Sequence, residues 1–547
     1  MGLISFFSSI FRSALNKLHE KQIQQLYKKS QTIKKQDIKV LFWIPGGMPL
    51  MLHIECAIAI ALKLRGVDVH AIICDGALSR GCIKRESSSV SDKIHSSNDC
   101  IRCKNGCDEV LKIFNIPISY IGDFVSDTVK KDCLEKTKNI SWDKLNDVYY
   151  NDISLIGSIK GSILRYYQGN YQETDNTILR DYTMSAFLSA FAADKAIQKI
   201  NPDKIFMSTG IYVDWGPALK IAKKSNIPVT GYMSSYLPAR FYFRHVKDAS
   251  RINFQILDQE KWDYRKNISL KPIEEYRLKK YIDERYFKNR SFDLKKGSTY
   301  QKDLDGFLNK YKISKDMPIW GIMSHLNWDS AIEYSPMAYE TFDDWIVDTV
   351  NKISPITNIQ WLIKIHPSEI WSNSSTYGTN QLIKRHFPKL PENIKIIPPE
   401  ENISPLNFYE ILNGGITVFG TPGLELALMG KPVILAGEAH YSKKGFTYDG
   451  LTVDLYREYL NKTSNVTPLN SEQIQLAQRY AYCYFIQRQI PMPVVKNPHS
   501  TWWEFQFSKR DLLLPGKDPF MDFICEKIMS GEDFIMDEKL VQLAEKF

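Results

Sequence analysis

From residue 38 onward, short β-rich apolar runs alternate with longer stretches in which apolar residues recur at helical spacing. The span 38–45 reads as a buried strand. The Gly46-Gly47 turn leads into a helix over about 53–65, which Gly66 ends before a strand at 67–74. A helical stretch at 179–200 precedes a strand at 204–207, and a helix at 216–224 and a strand at 228–233 follow. Such alternation builds a parallel sheet covered by helices, and residues 36–250 form one complete α/β domain on this reading. The next stretch, 251–315, is lysine-rich with weak strand periodicity and is read as a linker region. The alternation then restarts. A strand at 318–324 is followed by a helix at 341–353, with Thr341 and Asp344 spaced as a capping box. Strands at 359–365, 394–397, 416–419 and 432–436 complete a second domain, 316–470. Residues 471–547 read as a helical tail with Tyr480, Tyr482, Tyr484, Trp502, Trp503 and Phe505 as packing anchors.

The start of the chain has a different pattern. Leu3, Ile4, Phe6, Phe7, Ile10, Phe11, Ala14, Leu15 and Leu18 share one side of a helix, Ser5, Ser8, Ser9, Arg12, Asn16 and Lys17 fill the other, and lysine pairs follow at 28–29 and 34–35. Residues 1–35 thus form an amphipathic N-terminal segment, suited to lying in a membrane interface with its lysines toward anionic headgroups. The alternative is a helix docked on the protein's own core. A secretory signal is disfavoured, because no basic region precedes the apolar part and no clear cleavage site follows it.

Composition narrows the class. The 547 residues are 44% hydrophobic and 24% charged, which suits two to four globular domains and excludes a mainly disordered or disulfide-dense chain. No run approaches the ~18 uninterrupted apolar residues of a spanning helix. The formal charge of +9 is dispersed, with no basic-aromatic module, so no nucleic-acid partner is expected.

Two motifs in the second domain carry chemistry. Phe419-Gly420-Thr421-Pro422-Gly423-Leu424-Glu425 sits where a strand turns into a helix. Thr421 suits the N-cap, Pro422 the first helical position, and Gly430 the end. The N–H groups of Gly423 and Leu424 are then expected to hold a phosphate, with Glu425 accepting from ribose hydroxyls. Upstream, Lys364-Ile365-His366-Pro367-Ser368-Glu369 ends a strand, placing His366 to donate to a phosphate oxygen and Lys364 beside it. Asp329 is a candidate for orienting a sugar hydroxyl, or a loop ion pair, and Tyr441 lies in a loop near the same edge. Two α/β domains joined by a linker make the GT-B arrangement, two Rossmann-like domains facing a cleft, although unrelated Rossmann-like domains would give the same coarse pattern.

In order along the chain, Asn327 to Ala331, Lys364 to Glu369, Ile397-Pro398-Pro399, Gly420 to Glu425, Gly430 to Val433, and His440-Tyr441 with Gly445 to Asp449 resemble the capsule polysaccharide biosynthesis proteins, which are related to bacterial transferases that use CMP-activated Kdo. The resemblance is strongest over 318–450. It implies a GT-B glycosyltransferase of surface-polysaccharide assembly, with the His-Pro pair and the Thr-Pro-Gly turn gripping the nucleotide phosphate. It leaves the sugar open.

In GT-B enzymes the acceptor and the base come mainly from the first domain. Candidates there are His53, Glu55, Asp75 and Asp214, with His53 and Asp214 preferred as catalytic groups, and Gly46 and Gly47 allowing close approach of backbone to substrate. A cysteine-rich insertion, 74–107, holds Cys74, Cys82, Cys100, Cys103 and Cys107. Cys100 and Cys103 are spaced as a metal pair that Cys74 and Cys82 complete, with Cys107 an alternative, so a structural zinc is expected. An iron–sulfur cluster and ordinary reduced thiols are the alternatives.

The expected function is transfer of a sugar, Kdo-like or another nonulosonate, from a nucleotide donor (CMP-sugar favoured) to a glycan or lipid-linked acceptor. The transfer is expected to be inverting and to require no catalytic cofactor or metal. The protein is placed in the cytoplasm, peripheral at the cytoplasmic face of the inner membrane. The alternatives are a nucleotide-sugar 2-epimerase and a non-catalytic GT-B-like scaffold of a polysaccharide assembly complex.

Overall fold

A computed structural model describes residues 2–30, 33–45, 49–86, 97–169, 175–247, 253–287, 303–329, 332–371, 378–401, 403–496 and 504–547. Gly46, Gly47, Trp502 and Trp503 lie outside the described residues. The chain divides into two compact units. The first comprises Met1–Ile163, Thr174–Phe254 and Ile490–Phe547, and the second Leu164–Glu173 and Gln255–Gln489.

The first unit is built on strands β1 (Lys39–Ile44), β2 (Asp68–Ile73), β3 (Ile118–Tyr120), β4 (Lys204–Ser208), β5 (Val229–Ser234) and β6 (Arg240–Val246). Their sheet order is β6-β5-β4-β1-β2-β3, with the two-residue strand Ile490–Pro491 beyond β6. The strands β1 to β5 pair in parallel; β6 is antiparallel to β5, and Ile490–Pro491 is antiparallel to β6. Because β1 pairs with β2 on one side and β4 on the other, the strand order reverses there, the topological switch point at which open α/β sheets bind ligands.

The helices of this unit include α1 (Gly2–Lys29), α2 (Pro49–Lys63), α3 (Ser97–Ile113), α4 (Asn176–Ile200) and α5 (Tyr212–Lys224). The apolar α2 is buried along almost its whole length. The side chain of Asp175 caps α4 by accepting the Thr177 N–H at 2.6 Å, and Asn201 ends it in the left-handed region at φ +50°. Helix α5 starts four residues before the position expected from sequence. Left-handed Thr209, Gly210 and Tyr212 (φ +51°, +72° and +64°) turn the chain directly off β4 into it.

The latter half of α1 docks on its own unit. Ile23 and Leu26 are fully buried, Tyr27 Oη donates to Phe114 O at 3.0 Å, and His19 stacks on Phe507 at 3.5 Å between ring centroids. No helix among the described residues is long and apolar enough to cross a membrane.

The second unit carries a six-stranded, all-parallel sheet of β7 (Ile319–Met323), β8 (Gln360–Lys364), β9 (Ile394–Ile397), β10 (Gly414–Thr417), β11 (Val433–Leu435) and β12 (Tyr448–Asp449), ordered β9-β8-β7-β10-β11-β12. Its switch point lies between β7 and β10. The accompanying helices include α6 (Pro272–Phe287), α7 (Phe342–Ile353), α8 (Thr379–His386), α9 (Pro422–Leu428), α10 (Val453–Asn461) and α11 (Ser471–Tyr482). Thr341 caps α7 as its spacing predicts, accepting the Asp344 N–H at 3.1 Å. Trp320, Trp345, Trp361, Ile363 and Ile416 are among the buried residues of this unit's core. Both units are therefore Rossmann-like α/β folds, as the alternating pattern predicts.

The division along the chain differs from the sequence reading in two places. Residues 255–315 belong to the second unit and include the helices Gln259–Arg265, α6 and Leu304–Tyr311, held by buried Trp262, Leu278, Tyr281 and Phe307. Their lysines occupy solvated faces, and that made the stretch look like a linker. The chain after Gln489 is not a separate tail. It completes the first sheet and packs helix Pro519–Ser530 on the first unit, where Arg65 pairs with Asp522.

Candidate functional site

At the C-terminal edge of the second sheet, three strand ends converge. After β7 come Ser324 and His325, after β8 Ile365 and His366, and after β10 the loop Val418 to Thr421. Ser324 Oγ accepts the His366 N–H at 2.8 Å, and Ser324 N–H donates to Lys364 O at 3.0 Å, which locks the ends of β7 and β8 together. His366 Nδ1 accepts the Ser368 N–H at 3.2 Å. That bond leaves the neutral ring's proton on Nε2, so the half-buried His366 presents a donor beyond its own turn.

His325 organises the third strand end. Its Nε2 accepts the N–H groups of Val418 at 3.2 Å and Phe419 at 3.3 Å, with Thr417 Oγ1 3.1 Å away, and its ring stacks on Phe342 at 4.6 Å. Nε2 is therefore unprotonated and Nδ1 carries the hydrogen. Burial drives its pKa down to about 3, and the neighbouring His366 pushes in the same direction, so His325 stays neutral. Sequence reasoning singled out His366 and missed His325. The available signal was its position: each histidine lies two residues beyond the end of its strand, and the strands are neighbours.

The Thr421 turn differs from expectation. Thr421 itself has helical angles (φ −52°, ψ −30°) and its side chain makes no cap bond. The helix therefore begins a residue early, and the N–H groups of Gly423, Leu424 and Glu425 donate to Gly420 O, Thr421 O and Thr421 O at 3.1, 3.0 and 3.2 Å. The amides of Gly423 and Leu424 are thus used inside a short helix and do not form the expected phosphate cradle. Glu425 is buried beside the equally buried Arg285 at 3.4 Å and accepts from Tyr409 Oη at 3.1 Å, so it does not face a ribose. Tyr441, expected near substrate, is fully buried beneath the same turn. Its Oη donates to Gly420 O at 2.5 Å, and a Cβ at Gly423 would lie 2.1 Å from that oxygen. What remains on the surface is the half-buried stretch Phe419 to Pro422, including Thr421.

Lys364 is a brace. Its Nζ donates to Pro398 O at 3.0 Å and Glu401 O at 3.3 Å, fixing the loop after β9, and burial lowers its pKa to about 8. Glu369 caps α8 by accepting the Thr379 N–H at 3.1 Å and the Thr379 hydroxyl at 2.5 Å. Asp329 pairs with Arg165 at 3.1 Å, the loop ion pair that was its alternative reading, and Arg165 also lies over the Trp328 ring.

In the first unit the preferred catalytic groups have different surroundings. His53 Nδ1 accepts the Phe505 N–H at 3.3 Å and its ring lies near Phe114, on the side of α2 opposite Glu55. It is a packing residue, not a base at the strand edge. Asp214, in the first turn of α5, is buried and accepts the Ile83 N–H at 2.9 Å. Asp75 holds the Gly122 N–H at 3.1 Å. Glu55 faces the hydroxyls of Ser208 and Tyr232 at the sheet's switch point. Its carboxyl is 1% exposed, and burial raises its pKa to about 8.

The four cysteines proposed as metal ligands do come together. Cys74, Cys82, Cys100 and Cys103 line one small cavity with Asp214, whereas the alternative, Cys107, does not. Among the described residues, no group of three or more His, Cys, Asp or Glu side chains is arranged to hold a metal ion.

The comparison that bears on this site is a family match. Residues 221–480 match the capsule polysaccharide biosynthesis protein family. The match covers a little under half of the chain, runs from α5 through α11, and contains His325, His366 and the Val418 to Thr421 loop. The resemblance read from the motifs is thus borne out over the segment that carries them. No curated protein matches the chain. Solved structures that align with it include Thermosulfurimonas dismutans KpsC, beta Kdo 2,4 transferase (12% identity, 57% of this chain and 87% of that one, TM-score 0.34). Others are the UDP-GlcNAc 2-epimerase from Neisseria meningitidis bound to UDP-GlcNAc (10%, 81% and 95%, 0.27) and a putative UDP-N-acetylglucosamine 2-epimerase from Listeria monocytogenes (11%, 92% and 99%, 0.28).

Proposed function

We propose that the protein is a glycosyltransferase of capsular or related surface-polysaccharide synthesis that takes a sugar from a nucleotide donor, with the donor phosphate at the His366 edge of the second sheet. The observation that supports this most is the convergence of His366, His325 and the Val418 to Thr421 loop at a topological switch point, inside the segment that matches the capsule polysaccharide biosynthesis family. On this reading His366 Nε2–H donates to a phosphate oxygen and steadies the charge that grows as the nucleotide leaves. His325, held neutral, fixes the loop on which the phosphate rests. The acceptor hydroxyl attacks the anomeric carbon, the bond from that carbon to the phosphate oxygen breaks, and the hydroxyl proton passes to a base. Inversion, a CMP-linked Kdo-like sugar as donor, a glycan or lipid-linked acceptor and transfer without a divalent metal complete the proposal. So does a place at the cytoplasmic face of the inner membrane, where the first turns of α1 would meet lipid.

Donor turnover tests the reaction class. With CMP-Kdo or UDP-GlcNAc as donor in the presence of EDTA, the transferase reading expects free nucleotide and a lengthened glycan only when an acceptor oligosaccharide is added. Epimerised nucleotide-sugar formed without acceptor would replace it with the 2-epimerase reading. No turnover of either donor, with or without metal, would favour the scaffold.

A further inference from the structure

The C-terminal edge of the first sheet carries a side-chain group that sugar transfer does not use. Cys74 follows β2, Cys82 precedes the short helix Ile83–Glu86, and Cys100 and Cys103 lie in the first two turns of α3, three residues apart and hence on one helix face. The fold brings all four to one cavity of about 20 Å³, which Pro45, Lys84 and Asp214 also line. That space admits about one water-sized sphere. It is too small for an organic ligand and suits a single ion.

Backbone amides point at two of the four sulfurs. Cys74 Sγ accepts the N–H of Gly76 at 3.3 Å and also that of Leu78. Cys82 Sγ accepts the N–H groups of Lys84 and Arg85. Such amides would orient a sulfur ligand as outer-shell partners of metal sites do. Asp214, 1% exposed, lines the same cavity while accepting the Ile83 N–H at 2.9 Å, and Lys84 lines it too. Cys107 is one turn further along α3, where it packs against Cys103 and lines no part of the cavity.

We propose that Cys74, Cys82, Cys100 and Cys103 bind one zinc ion as four thiolates. Four soft sulfur donors select such a cation and would hold it tetrahedrally. Since no three of these groups are arranged around a common point as they stand, binding requires the thiols to rotate inward, each releasing its proton to solvent. The ion would pin Cys74, Cys82 and the start of α3 to the edge beside Asp214. This inference is independent of the nucleotide-binding reading.

Metal analysis of the full-length protein, produced in zinc-supplemented medium and purified without chelator, tests it. The expected result is about one zinc per chain. After zinc removal, Co²⁺ should produce the visible and thiolate-to-metal charge-transfer bands of a tetrahedral sulfur site. Cys103→Ser should lower zinc content several-fold, whereas Cys107→Ser should retain it in full. Should Cys103→Ser fail to fold, the Co²⁺ spectrum of the unaltered protein decides. Zinc well below stoichiometric together with no thiolate–cobalt bands would overturn the proposal. So would equal zinc loss in the Cys103→Ser and Cys107→Ser proteins.

Discussion

Two residues show how small features set the site. Gly423 is required by the close approach of Tyr441, whose hydroxyl would meet a Cβ at 2.1 Å. Gly423→Ala is therefore expected to cost roughly 1–3 kcal/mol as overpacking. Adding Tyr441→Phe removes the offending oxygen and should recover part of that loss, a non-additivity that urea titrations of the single and double variants would detect. Equal costs alone and in combination would dissociate the two residues. Glu55 makes a pH prediction. Its folded-state pKa is raised to about 8, so as pH rises the unfolded chain releases this proton first. Its contribution to stability therefore falls from about pH 4.5 to about pH 8 and is level above, by a few kcal/mol in all. Glu55→Gln should flatten that part of the wild-type slope, measured by urea titration at pH 5 and pH 8. An unchanged slope would contradict the burial argument.

At the scale of elements, the strands were legible because their apolar runs are continuous: β1 is buried along Val40 to Ile44, and both sheets formed where periodicity predicted. β6 was not, since Arg240, Arg244 and His245 interrupt its apolar pattern, and its pairing with β5 depends on a hairpin that no short-range signal marked. The site was partly legible. His366 lies at a strand end as expected, but the spacing of Thr421 to Glu425 could not reveal that Thr421 adopts helical angles and consumes the turn's amides. Nor could it reveal Arg285, distant in sequence, beside Glu425. Helix α1 shows the same division: Asn16, His19, Ile23, Leu26 and Tyr27 make packing or polar contacts with the first unit, while Leu15 and Leu18 remain exposed. Deleting residues 2–15 removes none of these docking contacts. The shortened protein should keep its Tm within a degree or two and lose sedimentation with vesicles containing anionic lipid. A large fall in Tm, or vesicle binding that persists, would contradict this assignment.

At the scale of the whole molecule, each unit is assembled from separated stretches of chain. The stretch after Gln489 supplies Ile490, Phe505, Phe520, Ile524 and Phe534 to the first unit's core, together with the Asp522 partner of Arg65 and the Ala544 carbonyl that accepts from Arg240 at 2.7 Å. A chain ending at residue 489 should consequently be insoluble or lack cooperative unfolding, whereas the helical tail read from sequence would be removable; a well-folded truncation would refute this. The second unit keeps its six strands and its strand-edge histidines within one continuous stretch, and the family match falls largely on it. The central claim is that this edge binds the phosphate of a nucleotide donor. A thermal-shift panel of CMP, CDP, UDP and GDP against wild type and His366→Ala tests it most directly. The account predicts that one of these nucleotides raises the wild-type Tm by several degrees at saturation and that His366→Ala loses most of that shift. Stabilisation by none of them, or a full shift retained in His366→Ala, would contradict it.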